Sequence, residues 1–283
     1  MSNKEYKIRR MKREDLDIAI DWAAKEGWNP GKFDTDSFWE TDPEGFYIGL
    51  IGDEPISCIS AVAYDDSFGF VGFYIVKPEF RGKGYGYAIW KESLKHLSTQ
   101  NIGLDGVVEQ QENYKKSGFK FAYRNIRYVG LVKQTQKKSS NVVKLSELPF
   151  ESLLSYDEKL FPSSRPQFLK HWIRQPRSLA VGTLIDKKLS GYGVIRKCRD
   201  GYKMGPLFAN DKDIAEELFL SLCNFVKKGT KIYLDTPEIN KEAVLLADKY
   251  NMNPMFETAR MYTKNIPSIP VNKIFGVTTF ELG

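Results

Sequence analysis

The stretch Arg81-Gly82-Lys83-Gly84-Tyr85-Gly86 brings two cations and three glycines together, a combination suited to holding a phosphate-bearing ligand. Glycine lets the backbone approach an anion with no side chain in between. A helix that starts at such a loop presents N–H groups without internal partners and the positive end of its dipole. Arg81 and Lys83 add charge at the same place. The elements that must position this loop flank it. Val71 to Val76 is an apolar run rich in β-branched and aromatic residues, which reads as a buried strand, and Pro78 ends it. Tyr87, Trp90, Leu94 and Leu97 then recur at helical spacing. Strand, loop and helix together make a phosphate cradle; the plainer reading of the same pattern is a glycine-rich turn.

The run R-G-K-G-Y-G after V-K-P-E-F resembles the R/Q-x-x-G-x-G/A signature of the GNAT acetyltransferase superfamily, with Arg81, Gly84 and Gly86 on the signature positions. Downstream, Asn113-Tyr114-Lys115-Lys116-Ser117-Gly118-Phe119 is similar to the Y-x-K-x-G-F ending of that family's next helix. The resemblance implies an α+β (α/β) fold with a mixed, mostly antiparallel twisted sheet flanked by helices. It implies acetyl-CoA as cosubstrate, and no metal. The pyrophosphate would lie on Arg81, Gly82, Lys83, Gly84, Tyr85 and Gly86. Backbone of Tyr74, Ile75 and Val76 would grip the pantetheine and supply the oxyanion donor, and Asn113 would also contact the cofactor. Where family members often carry an asparagine seven residues before the tyrosine, this chain has Val107.

At 283 residues the chain can form one large or two modest domains, and 42% apolar content suffices for real cores. Cys58, Cys198 and Cys223 are odd in number and widely spaced, so no disulfide or zinc framework is expected. The first residues lack the apolar core of a signal peptide, and no run approaches the roughly 20 apolar residues of a membrane span. A soluble, cytoplasmic protein is expected. The net charge of +6 permits an anionic partner. Because the bases are dispersed among acids, nucleic acid is not expected; a nucleotide resting near Lys83, Lys91 and Lys95 would satisfy a local excess.

Three antiparallel strands are expected before the loop and two or more after it, completing a unit at about Leu131. Residues 134–141 read as a polar linker, which gives two domains, 1–133 and 142–283. The second repeats the order of elements and resembles a degenerate GNAT copy. It has Gly205-Pro206-Leu207-Phe208-Ala209-Asn210-Asp211 in place of the glycine loop, and Ala247 where the tyrosine would be. Asp211 would cap its helix and repel an anion. One CoA site per chain is therefore expected, in a tandem-GNAT architecture.

Acetyl transfer to an amine needs a neutral nucleophile, an oxyanion donor and a proton for the leaving sulfur. By resemblance Tyr114 is the general acid, a role worth about 10²–10⁴-fold; packing beneath the pantetheine is its simpler role. Glu109 is the first candidate base, with Glu112, Asp105 or a water relay as alternatives. Trp28 and Asn29, in the loop after the first helix, are expected to touch the acceptor, a small-molecule amine. The second domain is expected to close the acceptor cleft with residues between Phe161 and Trp172, including Arg165, Phe168 and His171. Two competing readings are an acyl-CoA-binding sensor or partner-binding pseudoenzyme without turnover, and a dinucleotide oxidoreductase. The second fails on spacing, since G-x-G-x-G is not G-x-G-x-x-G.

Overall fold

The computed structural model describes residues 5–98, 100–133 and 141–283. The first half runs β1 (Tyr6–Arg10), α1 (Asp15–Lys25), α2 (Asp34–Trp39), β2 (Phe46–Ile51), β3 (Glu54–Ala63), β4 (Phe68–Val76), α3 (Tyr85–Leu94), β5 (Asn101–Val107), α4 (Gln111–Lys116) and β6 (Lys120–Leu131). The second half repeats that order as β7 (Val142–Lys144), α5 (Phe150–Asp157), α6 (Pro166–Trp172), β8 (Ser178–Ile185), β9 (Lys188–Lys197), β10 (Tyr202–Ala209), α7 (Lys212–Cys223), β11 (Lys231–Pro237), α8 (Lys241–Lys249) and β12 (Asn253–Tyr262). A short β13 (Ile274–Gly276) follows. The expected linker falls outside the described residues except for Asn141.

All strands join one mixed, mostly antiparallel sheet in the order β1-β2-β3-β4-β5-β12-β6-β11-β10-β9-β8-β7, with β13 on β10. This corrects the expectation that the first half closes on itself at Leu131. Strand β12 lies between β5 and β6, and β6 lies between β12 and β11. Each half thus receives a strand from the other beside its own last parallel strand. The cores follow the exchange. Ala259 and Met261 of β12 pack with Ile89, Trp90, Leu104 and Tyr114 of the first half. Tyr128 of β6 packs with Ile232, Leu234 and Met252 of the second.

Charge reinforces the exchange. Arg127 on β6 donates to both carboxylate oxygens of Asp235 on β11 at 2.6 and 2.7 Å. Arg260 on β12 does the same to Asp105 on β5 at 2.9 and 2.5 Å. Both pairs are buried, and removing one partner of such a pair typically costs about 3–5 kcal/mol. Arg196 on β9 pairs with Asp34 on α2 at 2.9 Å, a third buried link between the halves.

Candidate active site

Strands β4 and β5 run parallel and pair from Phe68–Asn101 to Val71–Leu104, and then part. The cause lies on the other edge of β4. Its register with β3 shifts between Cys58 and Ser60, opposite Phe73, whose φ of +47° is rare for a bulky residue. The Cys58 thiol donates to the Phe73 carbonyl at 3.2 Å and holds the turned backbone. Beyond the bulge a cavity of about 550 Å³ opens between Gly72–Val76 and Leu104–Val107. Tyr114 rises into it from α4, against Trp90 with ring centroids 5.7 Å apart, and Gly106 leaves room that any larger side chain would fill.

At one end the cavity meets the glycine loop. Gly82 and Gly84 have φ of +72° and +86°, a left-handed backbone that glycine adopts without strain. Gly86 serves packing instead, since a methyl there would sit 2.7 Å from the Tyr74 hydroxyl. Helix α3 begins after Gly84 with no side chain capping it, so its first N–H groups keep their donor capacity for a ligand. Arg81 Nε donates to the Val76 carbonyl at 2.8 Å, and its Nη2 reaches Glu26 at 2.5 Å.

The second half forms the far wall. Phe256 and Thr258 on β12 line the cavity together with Phe280 and Glu281. The last two belong to a buried tail whose turn is held by Thr279 Oγ1, which accepts from the N–H groups of Glu281 and Leu282 at 3.0 and 2.9 Å. The tail lies so close to β4 that a methyl group at Gly72 would collide with the Glu281 carbonyl oxygen. Tyr64 Oη donates to the Leu282 carbonyl at 2.7 Å. Trp28, which also lines the cavity, is fixed from both halves: its carbonyl accepts from Arg127 Nη1 on β6 at 2.6 Å and Lys203 Nζ on β10 at 3.3 Å. Burial, and then the charge of Arg127, hold the Lys203 ammonium below its usual pKa.

Of the residues singled out in the sequence, Trp28, Tyr74, Ile75, Val76, Arg81, Gly82, Gly84, Gly86 and Tyr114 meet at this cavity. Lys83 stands beside it, donating to the Glu79 carbonyl at 2.8 Å, and Tyr85 packs on Tyr6. Asn29 instead exchanges two 2.9 Å hydrogen bonds with the Asp200 backbone. Glu109 and Asn113 are exposed and off the cavity wall, with Asn113 bonded to Gln110. Arg165 and Phe168 are not on the wall either: Arg165 is buried against Asp157, Phe168 stacks on Trp172, and His171 is exposed. The expected closing surface is corrected accordingly; the wall comes from β12 and the tail.

A GNAT-family profile described as "Acetyltransferase (GNAT) family" matches residues 11–119, and another described as "Acetyltransferase (GNAT) domain" matches residues 153–276. Holothin acyltransferase of Pseudoalteromonas sp. (strain SANK 73390) is 34% identical over 275 residues, covering 95% of this chain and 92% of that protein. A solved structure of a protein from Pyrococcus horikoshii superposes with a TM-score of 0.83 at 21% identity, over 100% of this chain and 97% of that one. A tandem GNAT protein from the clavulanic acid biosynthesis pathway superposes with a TM-score of 0.65 at 12% identity, over 93% and 100% of the two chains. With two GNAT matches in one chain and a relative alike over nearly its whole length, this protein belongs to the tandem GNAT acyltransferases.

Proposed function

We propose that the chain is an N-acyltransferase that moves an acetyl group from acetyl-CoA to the amine of a small molecule. The observation that carries the reading is the parting of β4 and β5 beside an uncapped helix start. Uncapped amides and left-handed glycines suit a pyrophosphate, and the opened strand edge suits a pantetheine arm that takes up backbone hydrogen bonds. Gly72–Val76 supply the backbone beside which charge would develop on the carbonyl oxygen. Tyr114 faces the position where the sulfur would leave. Burial, with Tyr74 nearby, pushes its phenol above the usual range, so the hydroxyl stays protonated and keeps a proton to donate. Aromatic walls at Trp28, Phe256 and Phe280 suit a flat or apolar acceptor. The similarity to a holothin acyltransferase makes holothin the first acceptor to try.

The test combines calorimetry with thiol release. Acetyl-CoA should bind with one site per chain, and free CoA should appear when holothin or another amine from a panel is added, with the acylated amine identified by mass spectrometry. Binding without thiol release from any amine would instead mark an acyl-CoA sensor. The proposed setting is the cytoplasm; no helix among the described residues is long and apolar enough to cross a membrane.

A further inference from the structure

Helix α3 offers three N–H groups that no acceptor among the described residues takes. Its first bond back to the loop runs from the Ala88 N–H to the Gly84 carbonyl at 3.0 Å, which leaves Tyr85, Gly86 and Tyr87 open. One side chain of the cavity wall reaches this first turn from the sheet. Tyr74 and Val76 lie two apart on β4 and so point to one face, under α3. A Cβ built at Gly86 would be 2.7 Å from Tyr74 Oη and 3.2 Å from a Val76 methyl carbon. The Tyr74 ring packs on Trp90 of the same helix, with centroids 5.2 Å apart. Its hydroxyl has no hydrogen-bond partner among the described residues. The groups around it are spent elsewhere. Tyr6 Oη is bonded to Ser57 at 2.8 Å and donates to the Tyr85 carbonyl at 3.3 Å. Arg81 is held by the Val76 carbonyl and Glu26, and Lys83 by the Glu79 carbonyl. Burial, and then Tyr6, push the Tyr74 phenol above its ordinary value, so it keeps its proton. Three amides and a phenol therefore gather donors at one place where the chain supplies no acceptor. Such a set suits a ligand with several oxygens and negative charge.

We infer that the Tyr74 side chain is a binding group for the donor's diphosphate, its hydroxyl donating to a phosphate oxygen beside the open amides of α3. This rests on the acyl-CoA reading above. The contact makes part of the donor specificity depend on the diphosphate, since a thioester on pantetheine alone cannot use it. Gly86 then has a purpose beyond packing: the Cβ it lacks is the space that the hydroxyl occupies. The Tyr74 hydroxyl also lies close enough to Tyr114 to influence its ionisation, and the test separates the two uses.

The test uses the full chain, Tyr74→Phe beside the wild type, and two ligands that share the acyl arm, acetyl-CoA and S-acetylpantetheine. Calorimetry should show acetyl-CoA affinity falling about 10–100-fold in the variant, as for the loss of one hydrogen bond to a charged group. S-acetylpantetheine has no diphosphate. Its binding is read by tryptophan fluorescence, since Trp28 and Trp90 line the cavity, and the two proteins should agree within about threefold. An acetyl-CoA affinity within about threefold of wild type overturns the inference. So does an equal loss with both ligands, which would put the hydroxyl on the pantetheine or on Tyr114. Where S-acetylpantetheine binds neither protein, ADP takes its place, and an ADP affinity that the variant leaves unchanged overturns the inference. The position of the hydroxyl is tested separately by thermal unfolding. Gly86→Ala should lower the midpoint in the wild-type background and lower it less beside Tyr74→Phe, where the group that the methyl would meet is gone. Equal shifts in both backgrounds overturn the placement. Tyr74→Phe alone should unfold at the wild-type temperature; a drop of several degrees would mean that the hydroxyl is bonded within the protein and not free for a ligand. If the folded wild type binds no acetyl-CoA, the acyl-CoA reading falls and this inference with it.

Discussion

Among the described residues two pairs of parallel strands part, and the gaps are treated in opposite ways. In the first half β4 and β5 part after Val71–Leu104 and leave a cavity. In the second, β10 and β11 pair only from Tyr202–Ile232 to Met204–Leu234, and β10 also shifts register against β9 after Met204. That gap is filled by the protein's own chain. Strand β13 pairs with β10 through Leu207–Gly276 and Phe208–Ile274, and the Val277 N–H donates to the Asp235 carbonyl at 2.8 Å. The helix starts differ in the same sense. Helix α3 follows Gly84 with no cap, whereas α7 is capped by Asp211, which accepts from Asp213 and Ile214. The second half repeats the parting of its parallel strands and fills the gap with its own backbone. The segment that closes the second cleft then continues to Phe280 and Glu281 on the wall of the first. One segment thus fills the second gap and walls the first.

The largest effect should come from separating the halves. Residues 1–133 alone would leave β5 without β12, β6 without either neighbour, and Asp105 without Arg260. The fragment should be unfolded or aggregated, as circular dichroism and size-exclusion chromatography would show. A monomeric fragment with a cooperative thermal transition would mean that the exchanged strand is dispensable.

Next in size is a substitution that gives the first cleft the cap of the second. Gly84→Asp puts a carboxylate at the helix start, where Asp211 sits in the other half; the built Cβ meets nothing within 4 Å, but at a φ of +86° any side chain is strained, so Gly84→Ala gives the effect of that strain alone. The side chain would compete for the amides that a pyrophosphate needs. Losing two charge-assisted hydrogen bonds at about 1.5–3 kcal/mol each weakens acetyl-CoA binding by roughly 10²–10⁴-fold. Calorimetry reads this directly, and an unchanged Kd would move the phosphate site elsewhere.

The loop, the helix after it and Tyr114 were legible because local sequence produces them: glycines at positive φ, apolar residues at helical spacing, and a strand ended by proline. The repeat of element order was legible for the same reason. The exchange of β6 and β12 was not, since an alternating strand looks the same whichever strand it pairs with. A trace of it exists. Asn125 and Arg127 alternate on one face of β6 and are buried, as are Thr258 and Arg260 on β12. Strands so polar on an inner face require carboxylates from elsewhere, here Asp235 and Asp105. Glu281 carried no signal at all. It lies over two hundred residues from Gly72 in sequence, in a tail with no motif, and only the packed structure brings it to the cleft.

Smaller in effect is the charge pairing beneath both clefts. Burial raises the pKa of the Asp235 carboxyl, but Arg127, then Lys203 and Arg196, outweigh it and hold the group below the ordinary carboxylate range. A depressed folded pKa gives stability that is present above the unfolded value near 4 and lost as pH falls through the folded one. Asp235→Asn leaves Arg127 buried and should cost about 3–5 kcal/mol at pH 7. The gap between variant and wild type should shrink below about pH 4. Urea midpoints at pH 7 and pH 3 check both statements, and equal midpoints at pH 7 would deny the pair any net role.

The smallest expected effect concerns the residue that most distinguishes the halves, Tyr114 against Ala247. A general acid ordinarily contributes about 10²–10⁴-fold. Here burial, with Tyr74 beside it, raises the phenol above its ordinary value near 10, while a thiol ordinarily has a pKa of about 8.5. The proton therefore favours oxygen over sulfur, and complete transfer to the departing thiolate is uphill. What Tyr114 can give is a hydrogen bond to sulfur as charge develops there, worth about 1.5 kcal/mol at the low end for a charged acceptor. Tyr114→Phe should then slow the chemical step by roughly tenfold and leave acetyl-CoA affinity unchanged, because the ring still packs on Trp90. Single-turnover thiol release under saturating acetyl-CoA isolates that step. A loss of a thousandfold would mean that the bound thioester lowers the phenol's pKa and makes it a true acid. No loss would leave Tyr114 as the floor of the cleft, the packing role that Ala247 no longer needs to fill.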